Sequence, residues 1–216
     1  MADLGVPQNR ERLIVIGFRS DLGVEPPAIP LPFAGKHITV SQALDRAPLP
    51  SIGEGNHDVG YDGADVVERL RLIPPGKNYT VIPKGHKLSV KGLISHVYKR
   101  LDPDRPSYTV IAGGGGGTHG YHHIEPRRLS NRERARLQSF PDDFLFVGPS
   151  GRKQFEYTEV RRQIGNAVPP QGARIILDAV CQALIKAGVQ PQTKRTLEAA
   201  KAVASLLAEN SETDVA

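Results

Sequence analysis

A chain of 216 residues with 39% hydrophobic content has room for one full domain or two small ones around a lean core. A single cysteine excludes an internal disulfide and points to a reducing cytoplasm; no apolar run approaches the ~20 residues of a membrane span, and no charged-then-apolar secretion signal opens the chain. The net charge of +5 and pI of about 9.4 suit a polyanionic partner, and the charge is concentrated: residues 189–216 hold three basic and four acidic side chains, which leaves +6 on the first 188 residues.

The first element lies at Leu13–Phe18, a continuous apolar, mostly β-branched run that follows Gln8-Asn9-Arg10-Glu11-Arg12. Such a run predicts a strand buried on both faces. The next hundred residues supply no parallel sheet to flank it, so its neighbours are expected in residues that this chain lacks; an ordinary edge or hairpin strand is the alternative. Taken alone, Arg10 and Arg12 read as surface charges at the start of a strand. Residues 20–50 carry Pro26, Pro27, Pro30, Pro32, Pro48 and Pro50 and predict a connector. Within it, Thr39–Leu44 predicts one or two helical turns. Residues 51–63 read as a glycine- and acid-rich loop, and Val66–Ile73 as a short helix ended by Pro74-Pro75-Gly76. The segment Pro74–Asn78 is no phosphate loop, since it lacks the leading glycine and the hydroxyl residue after lysine.

Tyr108–Ala112 predicts a strand leading into Gly113, Gly114, Gly115, Gly116 and Gly117, then Thr118-His119-Gly120-Tyr121-His122-His123. The glycines fit a dinucleotide fingerprint on paper, but Pro126 and the histidine pair leave no room for the helix that must hold a pyrophosphate. His119, His122 and His123 lack a thiol or carboxylate at a metal-ligand spacing, so no metal is expected. Two readings remain: a flexible loop whose bare backbone approaches DNA phosphates, or a solvated hairpin loop.

Ser130 followed three residues later by Glu133 is a capping box, so a helix starts at about Asn131 and stops before Pro141. With its lead-in it carries Arg127, Arg128, Arg132, Arg134 and Arg136. Phe140, Phe144 and Phe146 bracket Asp142-Asp143, which predicts a turn pinned by aromatic burial. After a short spacer, Gln163–Val168 runs into Pro169-Pro170, where another helix opens. Its apolar stripe is Ala173, Ile176, Leu177, Val180, Cys181 and Leu184, with Gly188 placed to close it. Cys181 reads as a small buried apolar residue. Residues 194–209 suggest a further, weakly amphipathic helix, and Asn210–Ala216 a frayed end. Read by composition alone, the Arg127–Pro170 stretch is helices and a turn with a solvated basic face.

The literal sequence says more. RRLSNRERARLQSFPDDFLF followed by QIGNAVPP resembles the last two motifs of DNA cytosine-5 methyltransferases, and DLGVPQNRERLIVIGFR resembles the family's eighth motif. The resemblance runs to about Gly188. It implies a mixed α/β fold: a partial S-adenosylmethionine-dependent methyltransferase fold, with one core strand and a C-terminal helix, plus a small irregular α+β target recognition domain. The implied parts are residues 1–25 as the end of the catalytic core and 26–126 as the recognition domain. Residues 127–160 would be a supporting helix-turn, 161–188 the return to the catalytic side, and 189–216 a helical tail outside the resemblance. By the same resemblance Arg12 contacts the extruded cytosine, with Arg10 and Gln8 shaping the same wall; a guanidinium fork suits a ring carbonyl. Asn166, with Ala167 beside it, matches the dipeptide that lines the S-adenosylmethionine pocket. Gly113–Gly117, Thr118 and Arg128 fall where double-stranded DNA is read.

The family's reaction also sets requirements. A cytosine must leave the stack, and a thiolate must add to C6. The family's Pro-Cys-Gln and Glu-Asn-Val motifs and its glycine-rich cofactor loop are missing; Cys181 sits in Val-Cys-Gln and the sole Glu-Asn is Glu209-Asn210. The resemblance therefore implies the C-terminal subunit of a split bacterial, cytoplasmic enzyme, of a restriction–modification type, inactive without a catalytic subunit. A truncated inactive remnant and a stand-alone DNA-binding module are the alternatives.

Overall fold

In the computed structural model, residues 1–60, 62–91, 97–113, 120–148 and 153–189 are described. The expectations for Gly114–Gly117, Thr118, His119, the 194–209 helix and the frayed end fall outside these residues.

The chain divides into two units. One comprises Met1–Arg12 with Leu31–Gly172, and the other joins Leu13–Pro30 to the chain from Ala173 onward. Helices dominate. In order they are α1 (Val40–Leu44), α2 (Ala64–Arg71), α3 (Asn131–Leu137), α4 (Lys153–Asn166) and α5 (Pro170–Lys186). The described strands are β1 (Gln8–Asn9) and β2 (Ser107–Tyr108), paired in parallel with Gln8 opposite Ser107. None of the described helices is long and apolar enough to cross a membrane.

Two helix starts are set by reciprocal caps, each contributing about 1 kcal/mol. The Thr39 hydroxyl accepts from the Gln42 amide at 3.3 Å while the Gln42 side chain takes the Thr39 amide at 2.9 Å. Ser130 and Glu133 do the same at 3.1 and 2.8 Å, as the sequence predicts for α3. One apolar core joins Val40 and Leu44 of α1, Ala135 and Leu137 of α3, and Val160 and Ile164 of α4 with Leu101, Val110 and Leu129. Phe140 and Phe146 complete it, and the three phenylalanines around Asp142-Asp143 pack with ring centroids 4.9–5.1 Å apart.

Three expectations are corrected. The Leu13–Phe18 run forms no strand, and Leu13 and Val15 are 92% and 84% exposed. A strand exists through its neighbours' hydrogen bonds, and among the described residues this run has none. The strand expected over Tyr108–Ala112 shrinks to Ser107–Tyr108, because the next ladder groups are diverted: the Val110 amide donates to the Gln8 side chain and its carbonyl accepts from Arg10. The fold class is correspondingly richer in helix than the mixed α/β reading implies. The spacer before Gln163 is most of α4, whose buried face, Val160 and Ile164, recurs at helical spacing.

The third correction concerns the arginines, which do not form a solvated face. Arg132, Arg134 and Arg136 are buried. Arg132 donates to the carbonyls of Gly55, Pro141 and Phe144 at 2.7, 3.1 and 2.7 Å. Arg136 donates to Leu44, Ala47 and Pro48 at 2.6, 2.8 and 3.1 Å and grips Asp142 with two bonds. Arg100 donates to five carbonyls, among them Ile73, His123 and Ile124. Five fixed donors on one planar group let a single side chain satisfy loop carbonyls that no ladder serves. Arginine thus replaces sheet in a body with little regular structure.

α5 opens at Pro170 and is closed by Gly188 at φ 72°, where the Gly188 and Val189 amides return to Ile185 and Leu184. Its buried residues are Gly172 and Ala179, whereas Leu177 of the expected stripe is 59% exposed and Cys181 is half-buried.

Candidate functional site

The candidate site is assembled where three distant segments meet. Gln8 leaves β1 pointing inward and is completely buried, so it is not the pocket wall the resemblance implies. Its carboxamide nitrogen donates to Gln138 Oε1 at 2.9 Å, and its oxygen accepts the Val110 amide at 2.8 Å. Arg10, two residues on, reaches the same place from outside: its Nη1 donates to the carbonyls of Gly165 at 3.1 Å and Val110 at 3.3 Å. Burial first, and the charge of Arg12 second, lower the Arg10 pKa from the usual guanidinium value.

Arg12 differs. It is exposed, and its hydrogen bond among the described residues is to the neighbouring Glu11 carbonyl. Arg10 and Arg12 line a polar cavity of about 460 Å³ with Asn9, Thr109, Asp3 and His37. The Thr109 hydroxyl donates to the Asn9 carbonyl at 3.0 Å, and His37 Nε2 lies 2.7 Å from Asp3 Oδ1. Such a cavity presents guanidinium donors to a ligand carbonyl or phosphate oxygen. Thr109 was not singled out in the sequence; the signal was its place two residues after Ser107, in the segment that pairs with Gln8-Asn9.

Gly165 occupies the last turn of α4. A Cβ there would collide with the backbone of Ile111 and Ala112. Glycine is therefore required by close approach of two backbones. Asn166 follows, exposed, at the end of α4, while Ala167 is half-buried and packs on the main core. The exposed carboxamide of Asn166, bearing a donor and an acceptor, suits the polar edge of a nucleoside-type cofactor.

The expected DNA-facing residues are distributed otherwise. Gly113 is exposed, with open space where a side chain would stand. Arg128 pairs with Asp62 at 2.9 Å, and its amide donates to the same carboxylate at 3.2 Å. A DNA phosphate there would compete with Asp62.

The histidines that raised the question of metal have other partners. His122 Nδ1 accepts from the amides of Ile124 and Glu125, both at 3.1 Å, and its Nε2 lies 3.5 Å from Glu133. Burial pushes the His122 pKa down to about 4 against the pull of Glu133. His123 stacks on it and lies 3.3 Å from Asp45. Among the described residues no group of three or more His, Cys, Asp or Glu is arranged to hold a metal ion.

Comparison with known proteins gives the family. The family described as C-5 cytosine-specific DNA methylase covers residues 1–182. The chain is 50% identical over 178 residues to the type II methyltransferase M.NgoFVII of Neisseria gonorrhoeae, covering 79% of this chain and 45% of that protein. It is 49% identical over 182 residues to M.BbvI of Brevibacillus brevis, covering 82% of this chain and 46% of that one. A solved E. coli structure assigned as a prophage-encoded DNA modification methyltransferase shares the fold, with a TM-score of 0.60 at 22% identity over 85% of this chain and 58% of the other. The chain thus spans a little under half the length of these two curated relatives. The matched residues take in Arg10, Arg12, Val110, Gly165 and Asn166 alike, and the chain belongs to the C-5 cytosine-specific DNA methylase family.

Proposed function

We propose that this chain is the recognition half of a DNA cytosine-5 methyltransferase and acts with a catalytic chain that carries the nucleophile. The target cytosine leaves the duplex, since C5 and C6 are inaccessible in the stack. Arg12, exposed at the mouth of a polar cavity, holds the polar edge of the extruded ring. Arg10 anchors that segment. Asn166 and Ala167 line the S-adenosylmethionine pocket; when bound, that cofactor supplies the methyl group. For double-stranded DNA the reading takes Gly113 and Arg128 among the described residues, since bare backbone and basic side chains suit phosphates.

Attack on C6 needs a thiolate. The chain's one cysteine, Cys181, is half-buried within α5 and lies outside a Pro-Cys-Gln sequence. The thiolate and the Glu-Asn-Val carboxylate therefore come from the catalytic chain. The exposed Leu13, Val15, Leu177 and Ile185 supply apolar surface for it to cover.

The single observation that carries the reading is the Arg10 bridge. One guanidinium joins the segment of Arg12 to Gly165, the neighbour of Asn166, and to Val110, the neighbour of Thr109. On this reading, the segments assigned to cytosine, cofactor and recognition are tied to one another by Arg10. The test is reconstitution. The chain is mixed with a methyltransferase catalytic chain bearing Pro-Cys-Gln and Glu-Asn-Val, and methyl transfer to DNA is measured. Transfer restored by mixing and lost in Arg12→Ala supports the proposal; DNA binding with no methyl transfer from the mixture favours a stand-alone binding module.

A further inference from the structure

Gln138 stands at the C-terminal cap of α3, fully buried, within the Arg127–Phe146 string. Its Nε2 donates to the Ile164 carbonyl at 2.6 Å, and its Oε1 accepts from Gln8 Nε2 at 2.9 Å. Ile164 and Gly165 are consecutive in the last turn of α4, where helix carbonyls lose their usual amide partners; Ile164 keeps only a 3.3 Å contact from the Ala167 amide, which it shares with Gln163. Here two side chains serve them: Gln138 takes Ile164, and Arg10 takes Gly165. The α4 terminus is thus capped from outside the helix by the segments that carry the recognition turn and the cytosine wall.

The direction of each amide in this relay is forced. The Val110 amide needs an acceptor, so Gln8 presents its oxygen there and its nitrogen toward Gln138. Gln138 must then show oxygen to Gln8 and nitrogen to Ile164. Reversing either carboxamide sets like atoms against each other in a buried site, which loses both bonds. Only glutamine, at this length, carries both an acceptor and a donor at its tip without a change of protonation.

On the methyltransferase reading above, we propose that Gln138 is a positioning residue: through the Ile164 carbonyl it sets the end of α4 and hence the placement of Asn166 toward S-adenosylmethionine, in register with Arg10 and Arg12. It touches neither substrate nor cofactor. Gln138→Glu retains the acceptor for Gln8 and, while ionised, removes the donor to Ile164, so it is assayed at a pH high enough to keep this buried carboxyl charged. Gln138→Met keeps the length and removes both.

The experiment uses the full chain, alone and mixed with the catalytic chain. In the mixture, both variants raise KM for S-adenosylmethionine about ten-fold, the scale of one buried hydrogen bond, while the isolated chain's affinity for DNA stays within about two-fold. In the chain alone, hydrogen exchange at the Ala167 amide, which bonds to Gln163, speeds up about ten-fold. Unchanged exchange in both variants overturns the lock on α4. Faster exchange with unchanged KM, or an equal loss in cofactor and DNA terms, overturns positioning in favour of a merely structural role. An inactive wild-type mixture sinks the methyltransferase reading instead, and the exchange result still decides the lock. If Gln138→Met does not fold, Gln138→Glu decides alone, since it retains the bond to Gln8.

Discussion

Arg10 donates from one nitrogen to the Gly165 carbonyl at 3.1 Å, across 155 positions of sequence, and its neighbour Gln8 is tied to Gln138 within the same cluster. This contact makes two motifs from opposite ends of the chain a single rigid feature. Arg10→Ala leaves the Gly165 and Val110 carbonyls without their donor. It should lower stability by about 1.5–3 kcal/mol, whereas Arg12→Ala, at an exposed position, stays within about 0.5 kcal/mol of wild type. Urea denaturation of the three proteins measures the difference, and equal losses for the two variants would refute the distinction between anchor and ligand-facing arginine.

Gly165 is the companion test. Gly165→Ala sets a methyl group against the peptide joining Ile111 and Ala112, and backbone cannot step aside as a flexible side chain would. The expected loss is about 2–3 kcal/mol, the upper part of the range for overpacking. Helix propensity alone would make the same change stabilising by about 1 kcal/mol. The sign of the measured change therefore decides whether the close approach governs this position.

Arg136 should be among the costliest arginines to remove. Its side chain is fully buried, it serves three carbonyls, and it holds Asp142 in a two-bond pair. Arg136→Ala should cost about 3–5 kcal/mol, and Arg136→Lys should recover little, because an ammonium cannot reproduce the planar fork. Thermal unfolding followed by circular dichroism reads both. Full rescue by lysine would show that charge, and not geometry, is what the site needs.

Acid should destabilise the unit that contains His122. Its folded pKa is down to about 4, from an ordinary 6.5, because burial disfavours the charged ring. Below pH 6.5 the unfolded chain binds a proton that the folded chain refuses, so stability falls as pH drops from about 6.5 toward 4 and is complete above that window. Burial lowers the His57 pKa in the same direction. For Glu133, burial pushes upward, but the hydrogen bonds and charge of Arg127, with His122 and the Ser130 amide, together outweigh it, and its lowered pKa adds a further loss as the carboxylate is protonated. The His122 share is on the order of 3 kcal/mol. In His122→Asn, an amide oxygen can still accept from the Ile124 and Glu125 amides, and the slope of stability against pH between 4 and 6.5 should flatten. An unchanged slope would assign the acid sensitivity elsewhere.

Arg128 and Asp62 offer a test of the DNA face. Arg128→Ala should weaken DNA binding about equally across sequences and reduce the salt slope by about one. Asp62→Asn, which leaves the guanidinium without its carboxylate, should strengthen binding at low salt. If neither variant moves the affinity, Arg128 serves Asp62 and not DNA.

Local patterns were legible where one segment suffices to make the structure. The Ser130–Glu133 cap and the Gly188 closure of α5 depend on residues within a few positions of one another, and each stands as the sequence implies; the helix expected over Val66–Ile73 also forms before Pro74, as Ala64–Arg71. The family motifs were legible for the same reason, being contiguous strings. The 14-residue helix α4 was missed because attention went to the glycine and prolines at its end, although Tyr157, Val160, Arg161 and Ile164 recur at helical spacing.

The sequence by itself determined that this chain is basic, lacks the attacking thiol in its family context, and carries Arg12 and Asn166 in recognisable settings. Only the tertiary structure decided what the arginines do. A guanidinium looks the same in sequence whether it meets a phosphate or five carbonyls, and that difference rests on which loops lie within about 3 Å of it. Arg100, Arg132 and Arg136 turned inward because loops without ladders left carbonyls to satisfy, while Arg12 stayed exposed. The same folding placed Gly165 against Ala112 and Gln138 under Ile164, contacts between residues far apart in the chain that no periodicity encodes.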